Sequence, residues 1–309
     1  MLSRVADNLY WFGRYLQRAE NTARVVNVHA NLLLDLPRKV QFGWTPLVEI
    51  FGADETFNEH YNEYSEANVV RFLLLDARNS GSILSSLNSA REILRTTREH
   101  VQREVWEKLN DLYFFVQERG ETALTRSKRQ EFLSRIIDGI QLLYGMLISN
   151  MSHDVGFQFL RIGTNLEQAD MTTRIIDVRS SNLFSTMNME DLVPFQNIQW
   201  MSVLRSLTAY QMYRRHVRIR VTGASVLRFL LQNREFPRSV TFCLNNIALT
   251  LPQLPNNRPI ERAVDRTRAL VHDANLEKLL ETGLHDFVDE VQIGLGELHN
   301  AVSEVYFRL

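Results

Sequence analysis

The chain has 309 residues, of which 45% are hydrophobic and 23% charged, values that suit a packed globular core and exclude a disordered tail or a fibrous chain. Lys plus Arg total 35 against 36 for Asp plus Glu. With no net field to draw it toward nucleic acid or an anionic membrane, any charged partner must be met by a local group.

Cys243 is the only cysteine, which excludes an internal disulfide framework and a multi-cysteine zinc site, so a reducing cytoplasm is the expected compartment. The opening MLSRVADNLYWFGRYLQRAEN lacks the basic-then-apolar order of a leader. No run of about 18 uncharged apolar residues stands out, and neither secretion nor membrane crossing is expected.

In chain order, Val5, Leu9, Phe12, Leu16, Ala19, Ala23, Val26 and Ala30 recur at three- and four-residue steps and predict one long amphipathic helix, with Ser3 as its N-cap. Between Pro46 and Pro194 there is no proline, so helices can run through that region without their commonest breaker. Similar periodicity covers Ile83–Phe115, Phe132–Ile148, Leu160–Val178, Val203–Leu231 and Leu276–Tyr306. Loops are expected at Leu36–Gly43, Gln117–Ser127, Arg179–Pro194 and Pro252–Pro259. Alternating strand patterns are scarce. The expected fold is an all-α helical bundle.

Self-comparison adds an internal order. LQRAENTARVV (Leu16–Val26) aligns with LEQADMTTRII (Leu166–Ile176) at an offset of 150, which also pairs Gly13 with Gly163. VVRFLLLDARNSGSILSSLN (Val69–Asn88) aligns with VLRFLLQNREFPRSVTFCLN (Val226–Asn245) at an offset of 157, pairing Arg71 with Arg228 and Phe72 with Phe229. Trp44 pairs with Trp200. These ordered blocks predict one domain, 1–309, made of two diverged repeats at about 1–118 and 128–309, related by a pseudo-twofold axis with corresponding residues near a shared interface.

On a helical wheel Gly13, Gln17, Glu20 and Arg24 line one flank of the first apolar stripe, and Gly163, Glu167, Asp170 and Arg174 occupy the same flank of its copy. Polar groups at the edge of a core need partners. Glu20 with Arg24 and Asp170 with Arg174 are i,i+4 acid-then-base pairs, worth about 0.3 kcal/mol each if exposed. Two readings stand: a polar pocket in which Glu167 and the arginines bind an anionic or amide-bearing group, or a salt-bridge lattice between helices. Arg71 and Arg228, inside apolar runs, pose the same choice.

Other signals are weaker. The basic run Tyr213–Arg220 reads as a solvated helix face with too little aromatic interleaving for nucleic acid. No Glu-x-x-His pairs of a di-iron bundle occur, and Glu281, His285 and Asp289 on one helix would rarely make a closed site, so no metal is expected. Cys243 in TFCLNN reads as a small core residue. There is no GxSxG elbow and no GxxxxGK[ST] loop, and Gly294-Leu-Gly296 lacks a third glycine and a preceding strand.

LSRVADNLYWFGRYLQRAENTAR resembles the opening signature of the bacterial alpha-E family, named for a helical domain with a Glu-Arg motif; SAREILRTTREHVQREVWEKLNDLY, FLRIGTNLEQADMTTRIIDVR, RSLTAYQMYRRH, FPRSVTFCL and GLHDFVDEVQ extend the resemblance over nearly the whole chain. The motif departs from the family pattern, reading Gln17-Arg18 in the first copy and Glu167-Gln168 in the second, while the literal Glu261-Arg262 sits in another context. The resemblance implies an accessory helical module, companion of ATP-grasp-type ligases and transglutaminase-like peptidases, that binds the ligase or its peptide substrate. ATP and magnesium would then belong to the partner. Two other functions compete with it: an enzyme using Glu167 or Asp170 as acid or base with Arg24 and Arg174 holding substrate, and a purely structural scaffold.

Overall fold

The computed structural model describes residues 3–35, 43–181, 189–217 and 220–308. Helices make up its secondary structure, and there is no strand among the described residues. The chain divides into two compact units, Met1–Thr164 and Asn165–Leu309. Unit 1 holds α1 (Ser3–Asp35), α2 (Thr45–Ile50), α3 (Asp54–His60), α4 (Glu66–Leu74), α5 (Ile83–Thr96), α6 (Arg103–Arg119) and α7 (Arg126–Asn150). The division falls within α8 (Val155–Ser181). Unit 2 continues with α9 (Met189–Ser206), α10 (Tyr210–His216), α11 (Gly223–Leu227), α12 (Val240–Thr250), α13 (Arg258–Asp273), α14 (Leu276–Glu281) and α15 (Leu284–Tyr306).

In unit 1 the stripe read from the sequence is the core: Leu9, Phe12, Leu16, Ala19, Ala23 and Val26 are buried, and α1 packs against α5 and α7. The start of α8 crosses α1 at backbone distance. A Cβ on Gly163 would stand 2.0 Å from the Tyr10 carbonyl oxygen, and one on Gly13 2.6 Å from that of Leu160. No side chain fits either place, so both positions require glycine for close approach. Tyr144 Oη adds a hydrogen bond, donated from α7 to the Gly13 carbonyl at 3.0 Å.

Among the described residues α7 is the one helix long and apolar enough to cross a membrane. Its Phe132, Leu133, Ile136, Ile140, Leu143 and Leu147 are buried, as in the core helix of a folded unit. In unit 2, α13 packs on α15 and α12, while α11 meets α9 and α14. A π-turn, Arg228–Gln232, follows α11; Gln232 Nε2 donates to the carbonyls of Val271 at 2.9 Å and Ala274 at 3.2 Å, satisfying acceptors left over where α13 ends.

Three of the long periodic segments are broken. Ile83–Phe115 divides into α5 and α6, because the Thr97 hydroxyl bonds the Ile93 carbonyl at 2.9 Å and Val101 is extended. Val203–Leu231 turns at Thr208 (φ 53°), and Leu276–Tyr306 turns at Gly283 (φ 88°). Helix runs on to Ser181 and resumes at Met189, shortening the expected Arg179–Pro194 loop; its centre, 182–188, and the loop residues 36–42 lie outside the described residues. The N-cap expected at Ser3 is corrected, since Ser3 is already helical.

Aligned positions play like parts in the two units. Ser65 and Thr222 cap α4 and α11, and Ser82 and Ser239 cap α5 and α12, each side chain accepting from a backbone N–H. Phe72 meets Phe57 edge-on at 5.1 Å, and Phe229 meets Tyr213 edge-on at 5.6 Å.

Ser82→Ala and Ser239→Ala should each lower stability by about 1 kcal/mol. Gly145→Ala, where a Cβ meets nothing within 4 Å inside α7, should raise it by about 0.5–1 kcal/mol. Urea denaturation followed by circular dichroism checks all three.

Candidate functional site

The polar flank of α1 is buried in the fold. Gln17 and Glu20 are 1% and 2% exposed and Arg24 is 9%. Gln17 Nε2 donates to Glu20 Oε2 at 3.3 Å and to Asn21 Oδ1 at 3.0 Å, and Arg24 Nε donates to Glu20 Oε1 at 2.8 Å. The helix itself thus supplies partners for groups whose burial would otherwise be costly. Arg18, beside them, is half-buried, its guanidinium 5.7 Å from the Tyr15 ring centre.

In unit 2 the corresponding pair forms as expected, Arg174 Nε donating to Asp170 Oδ2 at 2.9 Å, and Glu167 is buried. Arg71 and Arg228 belong elsewhere. Each is exposed and ion-paired, Arg71 with both oxygens of Glu121 at 2.7 and 2.9 Å and Arg228 with Glu277 at 3.2 Å, an arrangement that contributes little to stability. The literal Glu261-Arg262 is exposed on α13.

Cys243 is fully buried, and burial pushes its thiol up to about 12, which suits a core residue and not a nucleophile. Within the basic run, Arg214 and Arg215 are exposed while Tyr213 is buried with its hydroxyl 2.6 Å from Ser225 Oγ; residues 218–219 lie outside the described residues.

A pocket of about 200 Å³ in unit 1 is lined by Asn27, Ala30, Asn31 and Leu33 of α1, Trp44, Glu66 at the start of α4, and Arg126, Arg129 and Gln130 of α7. Its charged wall is tightly built. Arg129, 3% exposed, donates to the carbonyls of Ala123 and Leu124 at 3.0 Å each and to Glu66 Oε1 at 2.8 Å, with its guanidinium 5.5 Å from the Trp44 ring centre. Arg126 grips the other side of Glu66. Burial pushes the Glu66 carboxyl up, yet the hydrogen bonds and charges of Arg126 and Arg129 outweigh it and hold the group below its ordinary value.

The rest of the lining is different in kind. The side chains of Asn27, Asn31 and Gln130 make no hydrogen bond among the described residues, so three carboxamides face the pocket with donors and acceptors to spare. At about 200 Å³ the space is below the roughly 300–1,000 Å³ of small-molecule sites and suits one side chain or peptide group. Sequence reading did not reach this pocket. Its lining comes from dispersed segments with no shared motif, and only the i,i+4 spacing of Asn27 and Asn31 hints at a common face.

One further cluster lies in unit 2. His285 Nδ1 is 2.7 Å from Asp177 Oδ1 and His285 Nε2 is 3.7 Å from Asp289 Oδ2. Glu281, expected beside them, sits instead in α14, cut off from α15 by the turn at Gly283.

What the fold and these sites define is an all-helical domain whose N-terminal helix carries a buried amide, carboxylate and guanidinium row. The chain belongs to the Alpha-E family, whose model, described as a predicted alpha-helical domain with a conserved ER motif, matches residues 1–307. It is 23% identical over 325 residues to the uncharacterized proteins Mb2597 of Mycobacterium bovis and MT2643 of Mycobacterium tuberculosis, and 22% identical to Rv2567 of Mycobacterium tuberculosis. Each alignment covers 98% of this chain and 36% of the relative, so the chain spans about a third of the relatives' length. No solved structure matches it.

Replacing Glu66 by Gln should cost about 2–3 kcal/mol at neutral pH, because it strips the buried Arg129 of its countercharge. A carboxylate held below its ordinary 4.5 adds stability that is complete above that value and is lost as pH falls through the folded one. The gap between wild type and variant in thermal unfolding should therefore close as the pH is lowered from 7 to below 4.5.

Proposed function

We propose that the chain is a non-enzymatic accessory module that docks an amide-bearing, peptide-like segment, belonging to an ATP-grasp-type amide ligase or to that ligase's peptide substrate. The observation that carries this is the set of three carboxamides, Asn27, Asn31 and Gln130, that lines the same pocket as Trp44, a space sized for one peptide group. Side-chain amides match the paired donor and acceptor of a peptide bond, and an indole gives such a group an apolar face. Glu66 is already matched by Arg126 and Arg129, which favours a neutral polar guest over a charged one.

The family resemblance supplies the partner's chemistry, and the relatives' length agrees with an alpha-E unit that works inside a larger assembly. In this reading ATP and magnesium serve the ligase, and a transglutaminase-like peptidase is a second companion. The site is cytoplasmic, as ATP-dependent amide synthesis requires.

Affinity purification of the tagged chain from its own host tests the proposal, run beside an Asn27→Leu/Asn31→Leu variant of equal stability. An ATP-grasp-type ligase should co-purify with the wild type and fall by about thirtyfold with the variant, the effect of losing two hydrogen bonds worth about 1 kcal/mol each. A ligase absent from both samples overturns the accessory role, and equal recovery in both removes the pocket from it.

A further inference from the structure

The chemistry-bearing cluster that neither the family resemblance nor the proposed docking role uses is the one on α8 and α15. His285 and Asp289 are one turn apart on α15, so both project to the same side of the helix. Asp177 reaches them from α8, and one ligand atom from each of the three residues lies within 4.8 Å of the other two. Two helices therefore converge on one point in unit 2, a condition the single-helix set read from the sequence did not meet.

The geometry points to a divalent-metal site in which His285 Nε2 and Asp289 bind a zinc-class cation and Asp177 holds the imidazole in place. The 3.7 Å between Nε2 and Asp289 Oδ2 is close to the about 3.3–3.6 Å that separates two ligands, each roughly 2.0–2.2 Å from zinc, at tetrahedral angles. Asp177 Oδ1, 2.7 Å from Nδ1, accepts the Nδ1–H hydrogen bond, which fixes the tautomer that leaves the Nε2 lone pair available. A carboxylate behind a ligating histidine performs this service at metal centres generally.

The accessibilities agree with a metal that enters from solvent. The side chains of His285 and Asp289 are 63% and 52% exposed, whereas that of Asp177 is 15% exposed. Ligands stand at the surface and the orienting group stands behind them. One imidazole nitrogen and carboxylate oxygens suit zinc or another borderline first-row ion over a thiophilic one, and the remaining coordination positions face water.

Isothermal titration of the full-length chain with zinc chloride tests the site, alongside His285→Ala and Asp289→Asn variants whose folding is checked by circular dichroism. Both substituted side chains are exposed and outside the core, so their replacement should leave the fold intact. The wild type should bind one zinc per chain, and each variant should bind at least about tenfold more weakly. A wild type that binds zinc no more tightly than either variant overturns the proposal.

Discussion

The crossing of α1 and α8 is the constraint on which unit 1 depends. Two backbones touch there with only hydrogen atoms between, since Gly13 lies against the Leu160 carbonyl and Gly163 against that of Tyr10. The contact is reciprocal. Gly13 meets the carbonyl of the residue three places before Gly163, and Gly163 that of the residue three places before Gly13. With α8 on one side and α5 and α7 on others, α1 has little exposed surface left for its polar residues. Its Gln17, Glu20 and Arg24 must then find partners within the fold, and the i+3 and i+4 spacings provide them.

That requirement separates two polar systems that look alike in sequence. The α1 row is buried and internally bonded, in the manner of groups that fix register and helix position. The pocket of Asn27, Asn31 and Gln130 is open and carries unspent hydrogen-bonding capacity beside a saturated Glu66, Arg126 and Arg129 knot. Unspent capacity is what a binding surface needs, and it directs the docking proposal to the far end of α1 from the Glu-Arg-like positions Gln17-Arg18.

Much of the fold was legible because helix periodicity is a local property. The stripe from Val5 to Ala30 became α1, and the apolar residues of Phe132–Ile148 became the buried face of α7. Helix ends were less legible, since Thr97 and Thr208 carry no strong stop signal, and Thr208 adopts a positive φ that its type disfavours. Arg71 looked embedded among Val69, Val70, Phe72, Leu73 and Leu74, yet the turn of the helix buries those five and leaves it outside. The pocket and the Asp177, His285 and Asp289 cluster escaped for another reason. Both join residues far apart in the chain, Asp177 and His285 by 108 positions, and only tertiary packing brings them together.

The most direct test of the crossing is a double-mutant cycle on Gly13→Ala and Gly163→Ala, read by equilibrium unfolding. The close approach predicts that each substitution costs about 1–3 kcal/mol from overpacking, and that together they cost less than their sum by more than about 0.5 kcal/mol, because one displacement of the helices relieves both clashes. Two neutral or stabilising effects that simply add, as for glycines in freely exposed helix interiors, would contradict it.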